Sequence, residues 1–216
     1  IIVAAYSYMA LVPIVQPPVI KMITTRKERL IRMPYSQRPV SKTTRILFPI
    51  FITMIAGIIA PKSVALVGFL MFGNLIRECG VLSSLSETAQ NVLANLITLM
   101  LGLTVAAKMQ ASLFLQWKTL LILGLGLVAF VFDTAGGVLF AKLLNLFLPK
   151  GKKVNPMIGA AGISAFPMSA RVVNRLGLDE DPENFLLMHA VGANVSGQIA
   201  SVIAGGMVIN LVTKFL

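Results

Sequence analysis

Apolar residues run through this chain in long unbroken stretches, separated by short polar segments rather than alternating with them. Unbroken runs of this length favour membrane helices over the alternating strands of a β-barrel. Residues 1–20 read as the remainder of a span, with the chain starting mid-helix. Pro13, Pro17 and Pro18 break its far end as a kink or exit. Two shorter pieces, 46–60 and 63–75, flank Pro61-Lys62. Each is short of the roughly 20 residues a crossing needs. Two short crossings and one re-entrant hairpin both fit, and either returns Arg77 and Glu78 to the starting side. Residues 78–90 form a polar connection, with Ser86 as N-cap of the next helix. Residues 91–107 make a further span, and 108–118, with Trp117, an interfacial connection. The longest run is 119–148, with Asp133 near its middle. A last helix runs from about Asn184 to the end. Small residues at spacing four, Gly192, Ser196, Ala200 and Ala204 with Gly197, Ser201 and Gly205, allow close helix approach.

One stretch departs from this pattern. Residues 154–171 are apolar enough for membrane depth, yet contain Asn155, Pro156, Gly159, Gly162, Ser164, Pro167, Ser169 and Arg171. Pro167 lacks an N–H and disfavours helical geometry at Phe166, so a regular helix fails between Gly162 and Pro167. Broken backbone at that depth is tolerated only where protein or a water-filled cavity surrounds it, and transporters build sites from it. This stretch is the candidate site.

Composition supports the class. Of 216 residues, 56% are hydrophobic and 12% charged, with mean hydropathy +0.85. This places the chain outside ordinary soluble domains. The net charge of +11 sits mainly in loops, which argues against nucleic acid as its partner. It matches the bias of Lys and Arg toward cytoplasmic loops beside anionic lipid. Residues 21–45 are the strongest basic loop, with eight basic side chains against Glu28, and are expected to be cytoplasmic and solvated. Loop 149–153 falls on the same side. An acidic connector follows at 179–183. The single cysteine, Cys79, precludes an intramolecular disulfide.

Asn and Ser side chains and freed carbonyls are hard oxygen donors suited to an alkali cation. Asn194, Gln198, Ser201 and Gly205 share one polar face of the last helix, with His189 pointing elsewhere. Arg171 is suited to a carboxylate. Asp133, an acid at membrane depth, is a functional candidate by default, set against a structural Asp paired with a neighbouring helix. Neither zinc-binding spacing nor a Walker loop occurs in the sequence. The residues alone therefore point to a cation-handling transporter or pump with a carboxylate ligand.

Longer motifs carry a resemblance. Gly73-Asn74-Leu75-Ile76-Arg77-Glu78, Leu85-Ser86-Glu87-Thr88-Ala89-Gln90, Asn155-Pro156 through Gly162-Ile163-Ser164-Ala165-Phe166-Pro167-Met168-Ser169-Ala170-Arg171, and Asn184-Phe185-Leu186-Leu187-Met188-His189-Ala190 with Gly192-Ala193-Asn194 resemble the β subunit of the sodium-translocating biotin-dependent decarboxylases. The resemblance covers essentially the whole chain, which corresponds to the C-terminal part of a longer subunit. It implies an all-α, polytopic transmembrane protein with discontinuous helices, one half of an inverted-repeat fold, in the bacterial inner membrane. It further implies that the subunit decarboxylates carboxybiotin and couples CO2 release to Na+ export and proton uptake. The implied partners are a biotin-carrying carboxyltransferase α subunit, a small γ or δ subunit and further β copies. By the same resemblance Asn155, Gly159, Ser164 and Asn194 belong to the Na+ site and Arg171 to carboxybiotin. A family tyrosine falls in Tyr6-Ser7-Tyr8, with Tyr8 favoured as proton donor. The family's key aspartate belongs to a motif upstream of Ile1. A secondary Na+/carboxylate carrier and a structural anchor are the rival readings.

Overall fold

The computed structural model describes residues 9–34, 39–109, 115–149, 151–165 and 167–215. Among them the regular structure is helical, with no strand. Helix α1 is Val12–Ile23, α2 Arg26–Arg29, α3 Lys42–Ile59, α4 Val64–Cys79, α5 Ser83–Lys108, α6 Trp117–Phe147, α7 Met168–Glu180 and α8 Leu187–Phe215. Helices α3, α5, α6 and α8 are long and apolar enough to cross a membrane. This is a multi-pass membrane architecture.

The chain forms two compact units, residues 1–36 with 108–198 and residues 37–107 with 199–216. In the second, Ser41 caps α3 by accepting from the Thr44 N–H at 3.2 Å. A 310 turn at Pro61–Ser63 reverses the chain, and α4 runs back along α3. Glu78 thereby reaches Arg45 at 3.2 Å, so both outer ends of the hairpin meet. Ala56, Val67 and Met71 form its core with Ile199, Val202 and Ile203 of α8. A Cβ on Gly206 would lie 2.8 Å from the Ser63 Cβ, so this approach needs a glycine. Ser86 is not the cap expected of it. Helix α5 starts at Ser83, and the Ser86 hydroxyl accepts from Gln90 Nε2 at 2.9 Å. Leu82 precedes the helix without a side-chain cap.

In the first unit the proline pair does not end the first helix. Pro13 sits in its opening turn, where a missing N–H costs nothing. The helix continues through Pro17 and Pro18 to Ile23, leaving the carbonyls of Pro13 and Ile14 without their usual donors. Helix α6 is 31 residues long, about 46 Å, and packs against α1 and the broken stretch. Ile20, Val138, Met157, Ala160, Ala161, Val173 and Leu186 form the core between these elements.

The basic loop is not simply solvated. Its Arg29 Nε lies 2.7 Å from Glu180, and both side chains are mostly buried. Arg32 reaches Asp181 at 2.6 and 3.0 Å and also Glu183. Lys142 of α6 lies 3.1 Å from Glu28. The acidic connector and the basic loop thus clamp each other.

Candidate functional site

The sequence places a break at residues 154–171, and the structure has one there. Asn155 opens a seven-residue 310 helix, Pro156–Gly162, accepting from the Met157 N–H at 3.1 Å. Pro156 occupies the first position of that helix, where its lost donor is tolerated. Regular structure stops at Ile163, whose backbone is extended, and resumes at Met168 after Pro167. Seven residues is long for a 310 helix, whose hydrogen bonds are poorer than those of an α-helix, so neighbours must hold it.

They do so in three ways. First, backbones touch. Gly137 of α6 and Gly159 meet reciprocally, each Cβ position being filled by the other's carbonyl, and the Cβ position of Gly197 on α8 is filled by the Gly162 carbonyl. Second, Gln16 of α1 is fully buried and donates to the Ala160 carbonyl at 2.9 Å and to Ser169 Oγ at 2.8 Å. Ser169 is 3.1 Å from both Gln16 Oε1 and the Ala160 carbonyl. Third, Asn194 is fully buried and its amide donates to the carbonyls of Ala161, 2.8 Å, and Ile163, 2.7 Å.

The candidates fall into separate groups. Asn194 and Ser164 come together at the break, since the Ile163 carbonyl that Asn194 grips belongs to the peptide joining Ser164. Ser164 is half-buried there. The oxygen of Asn194, Oδ1, is buried with no partner among the described residues. Asn155 lies at the other end of the 310 helix, roughly 14 Å away by its rise. Its amide donates to the carbonyls of Arg29, 2.8 Å, and Ile31, 2.9 Å, tying the stretch to the basic loop. Gly159, between them, serves the backbone contact with α6. Tyr6 and Tyr8 lie outside the described residues. Asp133 is exposed on α6.

Arg171 occupies a different place. It is exposed in the first turn of α7 and lines a cavity of about 470 Å³ with Pro13, Pro17, Lys21, Arg175 and Asp179. Three cations against one acid suit an anionic ligand. Lys21 and Arg175 were not singled out from sequence, although Arg175 is one helical turn from Arg171 on the same face. Gln16 is a polar residue in an apolar run, and its partners lie 144 and 153 residues away.

The electrostatics outside the spans are set by the clamp. The Arg32 guanidinium and the Glu183 backbone N–H hold the Asp181 carboxyl below the usual carboxylate range. Partial desolvation pushes Glu28 up, but hydrogen bonds from the Thr25 backbone and side chain and from Lys142 outweigh it and leave it lowered.

The described residues thus form a multi-pass helical protein with an interrupted helix, and discontinuous helices of that kind form ion and substrate sites in transporters. The chain belongs to the family of the Na+-transporting oxaloacetate decarboxylase beta subunit, whose family model matches residues 1–212. It is 54% identical over 212 residues to the oxaloacetate decarboxylase beta chain of Klebsiella pneumoniae, covering 98% of this chain and 48% of that one. It is 51% identical over 211 residues to the methylmalonyl-CoA decarboxylase subunit beta of Propionigenium modestum, covering 98% and 53%. Against the subunit of that name from Veillonella parvula it is 48% identical over 214 residues, covering 99% and 57%. The chain spans about half the length of the curated relatives it matches.

Proposed function

We propose that this chain forms part of the membrane subunit of a Na+-pumping, biotin-dependent decarboxylase. In that reading carboxybiotin, carried by a partner subunit, loses CO2 at this subunit, and the free energy drives Na+ outward. The bond between the ureido nitrogen and the carboxyl carbon breaks, and the nitrogen takes up a proton. The basic loop 21–45 and the loop 149–153 face the cytoplasm of a bacterial cell, where the carboxyltransferase α subunit docks. A small γ or δ subunit and further β copies complete the assembly.

The observation that carries the reading is Asn194 Oδ1, a buried amide oxygen at the break without a partner among the described residues. A buried acceptor left unpaired is costly. An alkali cation satisfies it with hard, neutral donors. We assign the Na+ to Asn194, Ser164 and carbonyls of the break, with a carboxylate supplied elsewhere in the full-length protein. Asn155 and Gly159 shape the stretch from its other end. Arg171 binds the carboxyl group of carboxybiotin, with Lys21 and Arg175 adding to the positive field. Tyr8 supplies the proton to the ureido nitrogen.

A plain Na+/carboxylate carrier would use the same break. Avidin separates the two. It sequesters biotin, so it abolishes Na+ uptake into proteoliposomes holding the complete complex if the pump reading holds. Uptake that persists at full rate with avidin present would reject it.

A further inference from the structure

A second buried side-chain oxygen without a partner among the described residues lies on α6. Thr134 of α6 is fully buried, and its hydroxyl has no hydrogen-bond partner among the described residues. Threonine in an apolar helix ordinarily donates to the carbonyl four residues back. Thr53, Thr98, Thr104 and Thr213 all do so here, at 2.7 to 2.9 Å. Thr134 does not.

Its direction follows from its neighbours. Phe130, Thr134, Val138 and Ala141 are the buried residues of α6, spaced to share one face. One turn before Thr134, Phe130 packs with Ile163 and Ala165. One turn after it, Val138 packs with Met157, Ala160 and Ala161. Gly137, on the adjoining face, touches the Gly159 backbone. Thr134 therefore stands opposite residues 161–165, where the helix is interrupted. Helical side chains also lean toward the N-terminus, which aims its hydroxyl toward Ile163–Ala165. On the α8 side of that segment stands Asn194, gripping the Ala161 and Ile163 carbonyls and presenting its own unpartnered oxygen.

We infer that Thr134 is a further side-chain oxygen donor to the cation held at the break, joining Asn194 and Ser164. This rests on the Na+ site proposed above. An uncharged hydroxyl is a hard donor that an alkali cation accepts, and a bound cation would satisfy a group that folding otherwise leaves unpaired. The hydroxyl also explains why a threonine, and not another valine, faces this segment between Phe130 and Val138.

The test is thermal unfolding of the purified complete complex in detergent, titrated with Na+ against a K+ background. Ligand binding to the folded state raises the midpoint. Thr134→Val keeps the side-chain shape and removes the oxygen, whereas Thr134→Ser keeps the oxygen. In K+ alone, Thr134→Val is expected to unfold no earlier than wild type, because a buried unpaired hydroxyl is lost. Its half-effective Na+ concentration should rise roughly three- to tenfold, and Thr134→Ser should stay close to wild type. A Thr134→Val response to Na+ that matches wild type, while Asn194→Ala loses it, overturns the role of Thr134 and leaves the Na+ site standing. A response retained by both variants overturns the site as well.

Discussion

Asn155 and Asn194 are both fully buried and both donate two amide hydrogen bonds to backbone carbonyls. They differ in their oxygens. Asn155 Oδ1 caps the 310 helix, and Asn194 Oδ1 has no partner among the described residues. Residue type alone could not separate the two, because the difference lies in which backbone groups each side chain meets. Gln16 shows the same limit. Its position in an apolar run marked it as polar, but its role as the strut between α1, Ala160 and Ser169 depends on contacts remote in sequence. Gln16→Leu should leave Ser169 and the Ala160 carbonyl short of a partner and destabilise the protein by about 1–3 kcal/mol. Thermal unfolding would show it. Adding Ser169→Ala to Gln16→Leu should cost less than the sum of the two single changes, since they share one network.

At the scale of elements, the break itself was legible, because Pro156, Pro167 and the paired small residues dictate backbone that no α-helix accepts. The fate of Pro17 and Pro18 was not. Packing of Val12, Val19 and Ile20 holds α1 helical across them and outweighs two lost hydrogen bonds. The small residues of the last helix were legible as close-contact sites only in part. Gly197 is one, whereas Gly192 and Gly205 have open space, and the close contact at Gly206 lies outside the predicted rows. The clamp between the basic loop and residues 179–183 joins two charge runs remote in sequence, and their opposite signs are its only trace there. Arg29 is its centre: its side chain holds Glu180 and the Thr24 carbonyl, and its own carbonyl accepts from Asn155 and Asn184. Glu180→Gln removes the partly buried partner of Arg29 and should lower stability by about 1–3 kcal/mol. The clamp should also weaken in acid. The Asp181 carboxyl is depressed in the folded state, so its contribution is complete above the unfolded value and is lost as pH falls through the folded one. Arg32→Ala should therefore reduce the loss of stability seen on acidification below about pH 4, read as the unfolding midpoint against pH.

For the whole molecule, long apolar runs and a basic loop bias were enough to establish a multi-pass helical membrane protein, since the bilayer permits few alternatives. The division into two units was not legible, because residues 1–36 rejoin the chain only at 108–198. The site proposed for Na+ contains neutral oxygens among the described residues, and the chain spans about half the length of the relatives it matches. The central claim is that the oxygens at the break bind the ion whose export is coupled to decarboxylation. The most direct measurement is the Na+ dependence of decarboxylation by the complete complex carrying Asn194→Ala. The account predicts that half-saturating Na+ rises roughly tenfold or more, equivalent to at least ~1.4 kcal/mol of lost binding. Wild-type Na+ dependence in that variant, at normal assembly, would contradict it.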